Sequence, residues 1–145
     1  MIDDDLKFLW AAYRKGTFQL EEDLTQGMFK DALANHLAAF NAIYILLARV
    51  QDGQRPVGLV ACHDQGYRLE PHVIWFPWAS DRNKLESTLN FCNKIRVTRV
   101  MILFAPQKDT PFFEHVSRYG VLQRRGTISR FFEDGQFAAI FQTRD

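Results

Sequence analysis

The chain has little cysteine and no long apolar run. Only Cys62 and Cys92 are present, with no CxxC spacing and no histidine pair beside them. Neither a disulfide framework nor a zinc site is therefore indicated, and we expect two reduced, buried thiols. No segment approaches the roughly 20 uninterrupted apolar residues of a membrane span, so we expect no membrane association.

The chain also has almost no net charge. The formal charge of +1 argues against a generic nucleic-acid binder, and we expect no nucleic-acid partner. The first 80 residues carry 7 Lys+Arg against 10 Asp+Glu, and the rest of the chain carries 11 against 7. A mildly basic second part suits a phosphorylated cofactor or an acidic partner, and it suits a solvated surface equally well. The acidic start, Met1 to Asp5, is unlike a secretory signal, so we expect a cytoplasmic protein.

Apolar and aromatic residues are plentiful. Hydrophobic residues make up 47% of the 145 residues and aromatic residues 14%, including 13 Phe. A chain of this composition folds around its own core rather than staying disordered. Its length fits a single domain, which we expect to span residues 1–145.

The first half of the chain predicts two helices and three strands. Apolar residues at helical spacing predict helices over 4–13 and 25–40, with Leu33 and Phe40 on the inner face of the second. Apolar runs at 42–50, 57–63 and 69–76 then predict strands. Asp52-Gly53 and Gln65-Gly66 supply the turns between them. The three strands should form an antiparallel meander that is covered on both faces.

The second half predicts a crossover and a closing hairpin. A helix over 81–94 leads to an apolar run at 97–105, whose second half reads as a buried strand, so this strand should lie parallel to 69–76. A further helix, capped by Thr110, should stop at Gly120. Strands at 121–132 and 137–143 follow, joined by Glu133 to Gln136. The expected fold is a single-domain α/β mixed sheet, an antiparallel meander plus a central parallel strand pair, flanked by about four helices.

The stretch from strand 69–76 to the helix after Ser80 has the geometry of an anion site. A helix start presents unpaired backbone N–H groups and the positive end of the helix dipole. A phosphate can sit there without a dedicated cationic side chain.

This order of elements resembles the GNAT superfamily of N-acetyltransferases over nearly the whole chain. Local support comes from Val57-Gly58, which is similar to a frequent Val-Gly in the second strand of the family's meander. Tyr119-Gly120-Val121 is similar to the family's helix end before the last hairpin. The resemblance implies transfer of an acetyl group from acetyl-CoA to an amine of a small molecule or protein.

The resemblance implies an acyl-CoA site between the strand ending near Phe76 and the strand ending near Ala105. The family's usual phosphate loop reads Arg/Gln-x-x-Gly-x-Gly/Ala, whereas this chain has no glycine between Gly66 and Gly120. Glycine lets a backbone come close to a phosphate, and Asp81 adds a negative charge there. The residues that would hold the cofactor are Trp78, Ser80, Arg82, Asn83 and Lys84.

Catalysis in the family needs a base for the amine and often a tyrosine that protonates the departing thiolate. Glu70 and His72 alternate along one strand, so both lie on the same face and either is a candidate base. The alternative is that they begin a strand at the solvent edge. The family's tyrosine position corresponds to Val116 here, and Tyr119 is the neighbouring candidate acid, unless it simply packs or lies at the surface.

A second resemblance rests on the string WFPWAS at 75–80, followed by Arg82-Asn83. It is similar to GNAT-like proteins of short-tailed bacteriophages, some of which act in head assembly. This implies an alternative function: a catalytically silent domain with a virion protein or other partner, in the host cytoplasm. In that case Trp75 and Trp78 either anchor the partner or fill the cleft that a cofactor would occupy.

Overall fold

The computed structural model describes residues 10, 14, 31–33, 38–51 and 53–144. Six strands form one sheet in the order β1-β2-β3-β4-β6-β5, and the predicted α/β mixed sheet is confirmed. Among the described residues no helix is long and apolar enough to cross a membrane. The elements are β1 (Ala42–Val50), β2 (Gly53–Asp64), β3 (Arg68–Trp75), α1 (Asp81–Ile95), β4 (Val100–Pro106), a 3-10 turn (Gln107–Asp109), α2 (Thr110–Ser117), β5 (Leu122–Ile128) and β6 (Ala138–Thr143).

The two predicted N-terminal helices lie outside the described residues, apart from Trp10, 31–33 and 38–40. Trp10 and 31–33 are helical, whereas 38–40 are not, so the predicted end of the second helix at Phe40 is wrong. Within the second of them, Leu33 is only 1% exposed, in agreement with its predicted place on the inner face.

The predicted meander is confirmed. β1 pairs antiparallel with β2 through a tight turn that places Val50 opposite Gly53, and β2 pairs antiparallel with β3. Seven consecutive residues of β2, from Pro56 to Cys62, are buried. This stretch of β2 is covered on both faces of the sheet, as expected from its apolar run. The same expectation is wrong for β1, because Ile43 and Leu47 are 38% and 40% exposed.

The predicted parallel pair, β3 and β4, is joined at one end and open at the other. Only Arg68 with Val100 and Leu69 with Met101 are paired. Beyond this point β4 pairs with β6, and β3 pairs only with β2. An ion pair between Arg99 and Asp64 lies at the joined end. The two strands therefore separate towards their carboxyl ends.

Helix α1 begins where the sequence predicts it. Ser80 is its N-cap, and the Ser80 hydroxyl accepts a hydrogen bond of 3.1 Å from the amide of Asn83. This bond satisfies one of the N–H groups that a helix start leaves unpaired. Cys92 and Ile95 are buried on the inner side of α1. The thiols of Cys92 and Cys62 are both free and buried, as expected.

Two predicted boundaries in the second half of the chain are wrong. Thr110 does not cap α2, because it is the first helical residue and its hydroxyl donates to the carbonyl of Pro106 at 3.1 Å. The first strand of the closing hairpin ends at Ile128 rather than at 132. Arg130 takes a left-handed conformation with φ 52°, which is incompatible with a continuing strand. Phe131 and Phe132 therefore belong to the turn between β5 and β6.

Candidate functional site

A cavity of about 470 Å³ opens where β3 and β4 separate. Its position agrees with the general rule that ligands bind at the carboxyl ends of parallel strands, where neighbouring strands diverge. Its volume falls in the range of small-molecule sites, roughly 300 to 1,000 Å³. The lining residues are Glu70, Pro71, His72, Val73, Trp75, Asp81, Lys84, Leu103, Phe104, Ala105, Pro106, Lys108, Asp109, Phe112, Phe113, Phe131 and Phe132.

The cavity reaches both faces of the sheet. Side chains alternate along a strand, so Val73 and Trp75 share one face of β3, where they pack on the core beside α1 and α2. Glu70 and His72 lie on the opposite face. We call these the helix face and the open face.

Glu70 and His72 are side by side on the open face. The Nε2 atom of His72 lies 3.8 Å from Oε1 of Glu70, and their side chains are 52% and 36% exposed. Burial lowers the pKa of His72 from its ordinary value. The Glu70 carboxylate opposes this shift of the His72 pKa, and the neighbouring His63 adds to it. An imidazole with a lowered pKa is neutral at pH 7 and can accept a proton.

Two further rings hold His72 in place. The ring of Phe40 lies 5.1 Å from that of His72 and 4.9 Å from that of His63, and the two imidazoles are 5.9 Å apart. This packing limits how far the imidazole of His72 can turn. Among the described residues, no group of three or more His, Cys, Asp and Glu side chains is placed to hold a metal ion.

The start of α1 forms another wall of the cavity. The Ser80 hydroxyl is engaged with the amide of Asn83, and no described residue accepts a hydrogen bond from the amides of Asp81 and Arg82. These two N–H groups suit a phosphate. Asp81 and Lys84 both line the cavity, and the Lys84 ammonium group lies 6.0 Å from the centroid of the Trp75 ring, so residues of opposite charge meet at this wall.

The side chains of Arg82 and Asn83 do not face this cavity. Both line a separate open depression of about 480 Å³, together with Arg49, Gln51 and Glu86. Successive helical residues are about 100° apart around the axis, so Arg82 points about 200° away from Lys84. Of the five predicted cofactor residues, only Lys84 has a side chain on the cavity wall.

The two tryptophans of the WFPWAS string have different surroundings. Trp75 lines the cavity and packs edge-on against Phe112, with ring centroids 5.9 Å apart. Trp78 turns away, because its indole N–H donates to the carbonyl of Pro56 at 2.7 Å and Arg55 lies 5.0 Å over its ring. The two rings together do not fill the cleft, since Trp78 lies outside it.

Tyr119 is also outside the cavity. It is 54% exposed after the end of α2, and its ring lies 5.7 Å from that of His115. Val116, at the position that matches the family's tyrosine, is fully buried in the core. No tyrosine of the described residues lines the cavity. A catalytic acid has to be within hydrogen-bond reach of the reacting group, so this placement argues against Tyr119 as the acid.

Several cavity residues were missed by the sequence reasoning. Lys108 and Asp109 directly follow β4, and the rule that strand ends hold ligands would have identified them. Phe104 lies on the open face of β4, because the core residues Leu103 and Ala105 alternate with it. Phe131 was assigned to a strand, and the local sequence gave no sign that it returns to the cavity.

No protein-family model matches the chain, and no curated protein matches it either. Solved structures do match. A spermidine N-acetyltransferase chimera built from Vibrio cholerae SpeG and hSSAT has a TM-score of 0.63 at 14% identity, covering 99% of this chain and 93% of its own. Vibrio cholerae spermidine N-acetyltransferase in complex with CoA and spermine has a TM-score of 0.57 at 17% identity, covering 98% and 90%.

A candidate acetyltransferase from Sphaerobacter thermophilus has a TM-score of 0.58 at 15% identity, covering 100% of this chain and 90% of its own. None of these three neighbours is described as a virion protein, so the resemblance to phage head-assembly proteins gains no support from them. At such low identity the likeness concerns the fold. The chain has the fold of the GNAT N-acetyltransferases.

Proposed function

We propose that this protein belongs to the GNAT superfamily and is an N-acetyltransferase that moves an acetyl group from acetyl-CoA to an amine. The observation that carries the proposal is the cavity between β3 and β4, with a helix start on one wall and the Glu70-His72 pair on another. One neighbour of the same fold is a spermidine N-acetyltransferase in complex with CoA and spermine. That supports a CoA-type donor and an amine acceptor here.

The residues at the start of α1 fit a phosphorylated cofactor. The amides of Asp81 and Arg82 have no acceptor among the described residues, and the ammonium groups of Lys84 and Lys108 face the cavity. These groups would hold the phosphates. The carboxylate of Asp81 opposes them, so binding should be weaker than at a glycine-rich loop without an acidic residue.

His72 is the proposed base, and Glu70 assists it. When bound, acetyl-CoA supplies a thioester whose C–S bond breaks as the C–N bond to the amine forms, with one proton leaving the amine and one reaching the thiolate. His72, neutral at pH 7, accepts the proton of the amine. The Glu70 carboxylate, 3.8 Å from Nε2, stabilises the resulting imidazolium. Tyr119 takes no part in this mechanism.

Calorimetric titration of the full chain with acetyl-CoA tests the donor. We expect saturable heat and a raised melting temperature, because a ligand that binds only the folded state stabilises it. Absence of both at millimolar acetyl-CoA would overturn the proposal.

The transfer is tested by measuring the rate at which the CoA thiol is released when acetyl-CoA and each of a panel of amines are added to the protein. His72→Gln should lower kcat by about 100-fold or more and leave the affinity for acetyl-CoA unchanged. Tyr119→Phe is the matched control and should keep full activity. A His72→Gln variant with the activity of the unmodified chain would remove His72 from the mechanism.

A further inference from the structure

Two phenylalanine rings stack at the mouth of the cavity. The rings of Phe104 and Phe131 lie 4.9 Å apart and are nearly parallel, at 12°. The paired residues Leu69 and Met101 share the core side of the sheet, so Phe104, three residues after Met101, lies on the opposite side with Glu70 and His72. The stacked pair therefore belongs to the open face, on the same side of the sheet as the proposed base.

The turn between β5 and β6 holds Phe131 in this place. The amides of Phe131 and Phe132 both donate to the carbonyl of Gln136, at 3.0 and 3.2 Å. The amide of Gly135 donates to the carbonyl of Phe132 at 2.9 Å and closes the turn. Phe131 nevertheless remains 42% exposed. An ordered turn that presents a large apolar ring at a cavity mouth provides a ready contact for an apolar ligand.

Charge is distributed unevenly around the cavity. Lys84, Asp81, Lys108 and Asp109 line it at the starts of the two helices, and their two positive and two negative charges offset one another. Among the described lining residues of β3 and β4, Glu70 is the charged one, and it lies on the open face. A ligand that packs on the described part of this face therefore meets the Glu70 carboxylate and an aromatic surface.

We infer that the acceptor is a primary amine with one positive charge on an apolar, preferably aromatic, body. The body packs on Phe131 and Phe104, and the ammonium group points towards Glu70 before it loses its proton to His72. This inference rests on the proposed function and specifies its acceptor. A polyamine such as spermidine carries further ammonium groups, for which the open face offers no additional carboxylate among the described residues.

Binding to the chain without cofactor tests the inference independently of catalysis. We would follow chemical-shift changes of the full chain during titration with 2-phenylethylamine, 2-phenylethanol and spermidine. 2-Phenylethylamine should bind at least about tenfold more tightly than the other two, because only it combines an aromatic body with one charge. Equal or tighter binding of spermidine, or no binding of 2-phenylethylamine, would overturn the inference, and neither result depends on acetyl-CoA.

Phe131→Ala tests the role of the ring. Phe131 is partly exposed in a turn, so its removal should leave the fold intact. The KM for 2-phenylethylamine should rise about tenfold, while the KM for acetyl-CoA and the KM for spermidine stay unchanged. Ile128→Ala is the matched control, because Ile128 is 39% exposed on the same hairpin and does not line the cavity. An equal effect of both variants, or none from Phe131→Ala, would exclude Phe131 as a specificity residue.

The failure of the inference can be told apart from the failure of the proposed function. If acetyl-CoA binds and spermidine is acetylated in preference to 2-phenylethylamine, the acetyltransferase stands and the acceptor class is wrong. If acetyl-CoA does not bind, the proposed function fails on its own test.

Discussion

The indole of Trp75 lies directly against the Cα of Gly58 on the neighbouring strand. A Cβ at position 58 would be 2.9 Å from Cε3 of Trp75 and 3.0 Å from the carbonyl oxygen of Ile74. The first distance is shorter than real Cβ contacts, and the second is tighter than most of them. The Val-Gly pair in β2 therefore has a local physical reason: glycine makes room for the ring that forms one wall of the cavity.

Gly58→Ala should both destabilise the protein and disturb the cavity. The added methyl group displaces the ring of Trp75, and overpacking of this kind costs about 1 to 3 kcal/mol. Urea unfolding measures the loss of stability, and calorimetry should show weaker binding of acetyl-CoA.

The control for this variant is the double substitution with Trp75→Phe, whose smaller ring relieves the clash. The free energy of unfolding lost in the double variant should be smaller than the summed losses of the two single variants by at least about 0.5 kcal/mol. Strict additivity would mean that the two residues do not interact as described.

Charge substitutions at the start of α1 should change the affinity for acetyl-CoA only on the side of the helix that lines the cavity. Lys84→Ala should weaken the binding of acetyl-CoA about fivefold, which corresponds to about 1 kcal/mol for a partly exposed charge. Asp81→Asn should strengthen binding by a similar factor, because it removes a negative charge from the cavity wall. Calorimetric titration of each variant measures both effects.

Arg82→Ala provides the matched control. It removes a positive charge only two residues from Lys84, but the Arg82 side chain lines the other depression. Its affinity for acetyl-CoA should equal that of the unmodified chain. Equal losses for Lys84→Ala and Arg82→Ala would show that only the overall charge matters.

The sequence predicted those parts of the fold that local signals determine. The Asp-Gly turn and the apolar runs located β1 and β2, and Ser80 located the start of α1. The site between β3 and β4 was implied only by the resemblance to the GNAT superfamily, whereas the βαβ pattern predicted that these two strands are parallel. These features depend on residues that are close in the chain, so a single sequence carries them.

The site itself was predicted less completely. A list of consecutive residues, such as 80–84, does not by itself say which side chains face the cavity, although the helical rotation of about 100° per residue would have separated Arg82 from Lys84. The sequence predicts Phe131 within a strand over 121–132, before the turn at Glu133 to Gln136. Its actual position depends on the stack with Phe104, a contact between residues 27 positions apart that no local pattern encodes.

The two thiols should not react in the folded protein. Burial raises the pKa of Cys62 to about 12, with the Asp64 carboxylate contributing, and burial likewise raises the pKa of Cys92 to about 12. At about pH 8 the thiolate fraction is then on the order of one in 10,000. A colorimetric disulfide reagent should titrate no thiol in native protein and two thiols per chain in concentrated guanidinium chloride. A thiol that reacts at once in native buffer would contradict the burial of that cysteine.

The rate of acetyl transfer should fall as the pH falls through the pKa of His72. Because burial lowers that pKa from its ordinary value of about 6.5, the loss of kcat/KM is expected below this pH, where the imidazole becomes protonated and can no longer accept a proton. Glu70 acts in the opposite direction and raises the pKa of His72. Glu70→Gln should therefore move the acidic limb of the profile to still lower pH, and NMR titration of the His72 ring should give the same shift without any substrate. A limb that stays in place in Glu70→Gln, or moves to higher pH, would show that a group other than His72 controls the rate.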